Sequence, residues 1–259
     1  MPFVETNGER LHYRMEGSGP AVLMIQSMGT DSAMWREQFA ALAGRYTCIA
    51  FDCRGHGDSS YNARFTVAEV AADYKAGLDE LGISACHVVG LAMGGPVALS
   101  FSALWPEAVR SLVIADGFAD MRESGGARIP EWSEIIRSTP MVEFGRNYAQ
   151  SRLMKWAPAG THDEMARTIA KVPPEAYTDV MKAIFEIDFL SELATVRVPT
   201  LVLSGERDEV TPIEHSRQIA DSIPGAVLKT IPDAGHIANI DQPEAFNRHL
   251  AEFLNAQQG

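Results

Sequence analysis

A tight glycine turn, one acid, one histidine and a small-residue loop could act together on a carbonyl group in this chain. The turn is Gly90-Leu91-Ala92-Met93-Gly94-Gly95, placed between a short apolar run and a helix-like stretch. Its outline is G-x-S-x-G, in which the central residue is normally a nucleophile held on a strained strand-to-helix turn. Here that position holds Ala92, whose methyl group cannot attack a carbonyl. Asp208 lies in "ERDEVTP" and His236 in "PDAGHIANIDQP". A carboxylate that orients an imidazole makes a general base. Gln26-Ser27-Met28-Gly29 follows another apolar run, where small residues allow close approach to a reacting centre.

The elements that must carry these residues alternate. Residues 2–6 and 9–15 read as two strands joined by Asn7-Gly8, a hairpin turn signal. Apolar runs at 21–26, 46–52, 86–91, 109–116, 199–205 and 226–231 read as strands of one sheet. Helices are expected over 33–43, 66–81, about 94–104, 212–223 and from Pro243 onward. Near-continuous apolar strands alternating with helices imply a mostly parallel sheet covered on both faces, with the opening hairpin as an antiparallel edge. Residues 118–190 break this rhythm, with no clear strand and helix-period stretches at 131–137 and 175–187. The expected organisation is an α/β core from 1–117 and 191–259, with 118–190 inserted as a helical cap between two strands. In open α/β sheets, ligands bind beyond the carboxyl ends of the strands. Ala92, Asp208, His236 and the loop at 26–29 all follow strands, so the topology sends them to one edge.

Composition narrows the partners. The 259 residues are 46% hydrophobic and 22% charged, ordinary values for a globular chain. With 34 acidic against 22 basic residues the formal charge is −12, which disfavours nucleic acid and anionic membranes as partners. No run approaches the roughly 20 apolar residues that span a bilayer. The N-terminus lacks the pattern of a signal peptide. Cys48, Cys53 and Cys86 lack metal-ligand spacing and read as reduced thiols, so a cytoplasmic location is expected. The glycine turn is not G-x-G-x-x-G and no phosphate-binding lysine follows it. No cofactor and no metal are implied.

Four stretches carry a family resemblance over nearly the whole chain: "FDCRGHGDSS" (51–60), "GLAMGG" (90–95), "PTLVLSGERDEVTP" (199–212) and "AGHIANIDQPEAF" (234–246). With these the chain resembles the α/β-hydrolase superfamily. "QSMGTDSAMW" (26–35) replaces the common His-Gly loop and is similar to that of 3-oxoadipate enol-lactonases and related carboxylesterases. The resemblance implies an α/β-hydrolase fold and hydrolysis of a small ester or lactone through an acyl-enzyme. It makes Ala92 the nucleophile position, His236 the base and Asp208 its acid, with Asp116 the rival acid at the end of another strand. The backbone N–H groups of Met28 and Met93 become the oxyanion donors. Candidate substrate contacts are Gln26, Ser27, Trp132, Phe144 and Trp156, although the insertion's aromatics, Phe185 included, read first as its own small core. Arg128, Arg137, Arg146, Arg152 and Lys155 read as solvated face, with one of them free to pair with a substrate carboxylate. His56 is expected to stabilise its own loop.

Ala92 leaves three kinds of reading open. The chain is a serine hydrolase in which alanine deliberately replaces the nucleophile. Or it is a natural His236–Asp208 general-base enzyme, such as a lyase or cofactor-free oxygenase. Or it is a ligand receptor that kept the fold. The first ranks highest, because both flanking glycines, the acid and the base remain and only one functional group is missing. Carbon–carbon bond hydrolysis of a diketone uses the same frame and stays open as the reaction.

Overall fold

The computed structural model describes residues 2–123 and 125–257. Its centre is an eight-stranded sheet of order β1-β2-β4-β3-β5-β6-β7-β8. The strands are β1 (Phe3–Thr6), β2 (Glu9–Gly17), β3 (Ala21–Ile25), β4 (Thr47–Phe51), β5 (Cys86–Leu91), β6 (Val109–Ala115), β7 (Thr200–Gly205) and β8 (Val227–Ile231). The β1–β2 and β2–β4 pairings are antiparallel, and every other pairing is parallel. Asn7 and Gly8 both take positive φ, 45° and 87°, as a tight hairpin turn with right-handed strand twist requires.

β3, β5 and β7 are buried at every residue, which explains their unbroken apolar runs. β8 ends the sheet and buries mainly Ile231, while Lys229 on its exposed edge discourages pairing with another chain. The helices are α1 (Arg36–Leu42), α2 (Val67–Glu80), α3 (Gly94–Leu104), α4 (Ile129–Ser138), α5 (Met141–Arg152), α6 (Thr161–Ile169), α7 (Pro174–Phe185), α8 (Leu190–Leu193), α9 (Ile213–Ser222), α10 (Ala238–Asp241) and α11 (Pro243–Ala256). α2 starts with a reciprocal cap. The Glu69 N–H donates to the Thr66 hydroxyl, and the Thr66 N–H donates to the Glu69 carboxylate.

Between β6 and β7 the chain forms α4–α8. A bridge between Asp120 and Asp188 pinches the two ends of this stretch together. Inside it, Phe144 and Tyr148 pack against the fully buried Tyr177, with a Phe144–Tyr177 centroid distance of 4.9 Å at 79°. Side chains tie it to the sheet's loops: the Tyr61 hydroxyl donates to Asp179 at 2.6 Å, and Arg36 pairs with Glu164.

Two features of the core have measurable consequences. Arg54 and Asp73 form a buried bidentate ion pair, with Nη2 to Oδ1 at 2.9 Å, and Asn7 donates to the same carboxylate. Removing one partner of a buried pair strands the other charge. Asp73→Ala is therefore expected to lower the unfolding free energy by about 3–5 kcal/mol in urea titrations. Cys48, Cys53 and Cys86 have no solvent exposure, and burial pushes each thiol up to about 12. A thiol-disulfide reagent at pH 8 is expected to find no reactive cysteine in the native protein and three in denaturant.

Candidate active site

Ala92 sits where β5 turns into α3, in the left-handed region at φ 51°. For a residue with a Cβ that conformation costs about 1–3 kcal/mol and survives only where the surroundings impose it. Here the surroundings leave no choice. A Cβ on Gly90 would lie 2.0 Å from the Gly94 carbonyl oxygen, and one on Gly94 would lie 2.2 Å from that of Ile25. The turn is held from both sides: the Ala92 N–H donates to the Ala115 carbonyl at 2.9 Å, and the Gly95 N–H donates to the Ala92 carbonyl at 2.9 Å. α3 begins without a side-chain cap, so its first N–H groups and positive dipole end remain for a ligand. Neither the Met28 nor the Met93 N–H donates to a protein acceptor among the described residues.

The loops after β7 and β8 bring Asp208 and His236 together. His236 Nδ1 lies 2.9 Å from Asp208 Oδ2. The same carboxylate accepts from the Thr211 hydroxyl at 2.7 Å and from the N–H groups of Val210 and Thr211 at 2.8 and 3.0 Å. Burial works to raise the Asp208 carboxyl. The facing imidazole and the Thr211 bonds outweigh it and hold the group below the usual carboxylate range. An ionised Asp208 with Nδ1 as the donor leaves Nε2 of His236 as the acceptor, the tautomer a general base needs.

Asp116, the rival acid, has a different surrounding. Its carboxylate accepts from the Gly205 N–H at 2.7 Å and the Ala238 N–H at 3.3 Å, and it makes no hydrogen bond to His236 among the described residues. Burial and the nearby Asp208 charge push it well above the carboxylate range. It fastens the ends of β6 and β7 to the start of α10, and its backbone carbonyl lies 2.8 Å from the oxygen of the Thr211 hydroxyl, whose one proton faces Asp208.

A cavity of about 520 Å³ joins these parts, with Ser27, Met28, Ala92, Met93 and His236 on one wall. Of the aromatics singled out in the sequence, Trp132 lines it. Phe144 does not, because its ring faces Tyr177 inside the helical stretch. Trp156 also lies elsewhere, over a neighbouring groove, with its Nε1 donating to the Asp233 carbonyl at 2.9 Å. Gln26 is fully buried below the loop, donating to the Thr30 carbonyl and accepting from the Cys53 N–H at 3.2 Å, so it shapes the loop and does not line this cavity. The buried Ser27 hydroxyl has no partner within the protein among the described residues. Phe185 lines the cavity and is not confined to the insertion's core.

Thr211 escapes the sequence reading, while Arg128 and Arg152, expected on a solvated face, line the cavity. Thr211 could have been found three positions after Asp208, where a hydroxyl meets its own loop's carboxylate. Arg128 and Arg152 were two of five cations with nothing in the sequence to separate them. His56 stays in its loop, with Nδ1 donating to the Arg54 carbonyl at 2.9 Å. Among the described residues no group of three metal-ligating side chains occurs, and no helix is long and apolar enough to cross a membrane.

Comparison with known proteins places this geometry. The chain is 28% identical to 3-oxoadipate enol-lactonase 1 of Acinetobacter baylyi, over 97% of this chain and 95% of that protein. Among solved structures it resembles the enol-lactonase from Burkholderia xenovorans LB400 at a TM-score of 0.89 and 27% identity, covering 98% of this chain and all of that one. A malate-bound thermophilic esterase from Thermogutta terrifontis matches at a TM-score of 0.92 and 25% identity, over the full length of both chains. The profile of the alpha/beta hydrolase fold matches residues 20–243, and the chain belongs to that family.

Proposed function

We propose that this chain is a hydrolase of small carboxylic esters or lactones, present with alanine in place of its nucleophilic serine. Residues 1–117 and 191–259 supply the chemistry and the helical cap at 118–190 supplies the pocket roof. With a serine at position 92, His236 takes the hydroxyl proton as the oxygen attacks the substrate carbonyl. The Met28 and Met93 N–H groups stabilise the oxyanion, and the imidazolium, held by Asp208, protonates the leaving oxygen. Water activated by the same histidine then releases the acid. The observation that carries this reading is the oriented His236–Asp208 pair opening on the same cavity as a strained elbow whose apex is Ala92. Similarity to the enol-lactonases favours lactones and small esters over other acyl compounds. The formal charge of −12 favours a small-molecule substrate over nucleic-acid or anionic-membrane partners.

The test is to assay A92S and the unsubstituted protein side by side on p-nitrophenyl esters and lactones, with a fluorophosphonate probe. Hydrolysis and a covalent adduct only in A92S are expected. Turnover by the unsubstituted protein that His236→Ala abolishes would instead establish the His–Asp general-base reading. Ligand binding without turnover in either form would establish a receptor.

A further inference from the structure

His236 is reached from two sides. The cavity over Ala92 and the groove beside Trp156 share Arg152, Glu209, Val210 and the imidazole itself in their walls, so the two spaces meet at the base. The groove, of about 570 Å³, runs between the end of α5 and the loops after β7 and β8. The two linings differ in chemistry. Away from the shared residues the cavity presents Met28, Phe118, Met181, Ile184 and Phe185, whereas the groove presents Gln150, Lys155, Glu206 and Arg207. The groove's rim is held under strain. Asp233, after β8, takes φ 57°, a left-handed conformation that a residue with a Cβ keeps only where its surroundings impose it. Its carbonyl accepts from Trp156 Nε1 at 2.9 Å, and its carboxylate accepts from Arg207 Nε and Nη2 at 2.9 and 2.6 Å. The Arg207 guanidinium carbon stands 5.3 Å from the centre of the Trp156 ring. One residue thereby stations an indole and a guanidinium side by side at the groove, with Trp156 still 41% exposed.

The course of the proposed hydrolysis assigns an occupant to each space. With a serine at position 92, the ester C–O bond breaks as the imidazolium gives its proton to the departing oxygen. The alcohol therefore leaves with that proton on the histidine side, while the acyl group stays at the elbow. A hydrocarbon acyl chain suits the methionine and aromatic wall of the cavity. Beyond His236 the alcohol meets carboxylates that accept, an ammonium and a guanidinium that donate, and an amide that does both. A hydroxyl also donates and accepts, so an alcohol that carries several of them satisfies this mixed wall. A plain alkyl chain would strip water from it and return no hydrogen bond. The Trp156 indole adds an apolar face for the C–H side of the same alcohol.

We infer that the groove is a leaving-group subsite for polyhydroxylated alcohols, so that the preferred substrates are esters of an apolar acid with a small polyol. Trp156 is thus a specificity-determining residue. The inference rests on the hydrolase reading for its reaction, but the groove's choice of ligand can be measured without catalysis.

Two measurements test it. Glycerol monobutyrate and propyl butyrate share an acyl group and a three-carbon alcohol, and differ by a pair of hydroxyls. Their amide counterparts, N-(2,3-dihydroxypropyl)butanamide and N-propylbutanamide, report binding without reaction. By calorimetry on the unsubstituted protein, the dihydroxypropyl amide is expected to bind about 10–100-fold more tightly than the propyl amide, the range that a pair of net hydrogen bonds supplies. That preference should collapse in Trp156→Ala. In the A92S background, kcat/KM for glycerol monobutyrate should exceed that for propyl butyrate by a similar factor, and adding W156A should remove the excess. Equal binding of the two amides, or a preference that survives W156A, overturns the inference. If A92S hydrolyses neither ester, the hydrolase reading fails while the calorimetric preference still decides the role of the groove. Should W156A lose its circular dichroism spectrum, Gln150→Trp takes its place. Gln150 is exposed at the end of α5, and an indole there fills the groove. A polyol preference reduced in Q150W supports the inference and an unreduced one refutes it.

Discussion

Ala92→Ser is expected to raise kcat/KM on a p-nitrophenyl ester by about 10⁵–10⁶-fold, close to the cost of deleting the nucleophile from a working triad. That factor corresponds to roughly 7–8 kcal/mol of transition-state stabilisation. The size follows from how little else must change. The backbone at position 92 already holds φ 51°, so the strain of the elbow is present before the oxygen is added. The imidazole is already oriented by Asp208 at 2.9 Å, and the Met28 and Met93 N–H groups have no competing acceptor among the described residues. Stability should move by less than about 1 kcal/mol, since one small side chain replaces another at a site 3% exposed and bordering the cavity. Active-site titration with a fluorophosphonate should approach one adduct per chain in A92S, and none in the A92S/H236A double variant. A correctly folded A92S protein that neither hydrolyses an ester or lactone nor takes up the probe would refute the acyl-enzyme reading.

The second large effect separates the two buried aspartates. In the A92S background, Asp208→Asn is expected to lower kcat by about 10⁴-fold, because an amide facing Nδ1 imposes the wrong tautomer on the histidine. One Asp208 oxygen accepts from two backbone N–H groups, and the other accepts from the Thr211 hydroxyl and faces His236 Nδ1. Asp116→Asn in the same background should cost less than about 10-fold, since Asp116 holds backbone rather than imidazole. If D116N proves the crippling change and D208N the mild one, the acid has been misassigned. The same geometry sets a pH response. Folding lowers the Asp208 carboxyl, so its contribution to stability is complete above the unfolded value of 3.8 and is lost as pH falls through the lower folded one. Acid denaturation of D208N should consequently lack that component.

The glycine turn could be read from sequence because its spacing is a steric demand. A Cβ on Gly90 would lie 2.0 Å from the Gly94 carbonyl oxygen within the turn itself, and one on Gly94 would lie 2.2 Å from the Ile25 carbonyl oxygen of the neighbouring strand β3. The strands were equally open to reading, since β3, β5 and β7 are covered on both faces and must be apolar throughout. Between β6 and β7 the signal fades. α5 carries Gly145 in its interior, which weakens its helical pattern, yet a Cβ there would lie 2.5 Å from the Ala166 carbonyl oxygen of α6. That close approach exists only once the two helices have docked. Trp132, Phe144 and Trp156 were indistinguishable for the same reason. Which ring meets the cavity, which meets Tyr177 and which covers a separate groove depends on how whole helices sit on the sheet. Arg152 shows the limit most clearly, because its place on the cavity wall depends on how α5 docks and cannot be seen in a string of residues.

Asp116 is the first residue after β6, where the chain leaves the sheet for its helical stretch, and it stitches the floor shut beneath that exit. Through Gly205, Ala238 and Thr211 it joins the β6 end to the loops that carry the acid and the histidine. The consequence is modularity. Asp208 and His236 are locked to one another below the seam, whereas Trp132, Tyr148, Met181 and Ile184 of the cavity wall hang above it on α4, α5 and α7. In the proposed hydrolase, side chains on those helices are the ones expected to alter ligand preference while the His236–Asp208 pair stays in place.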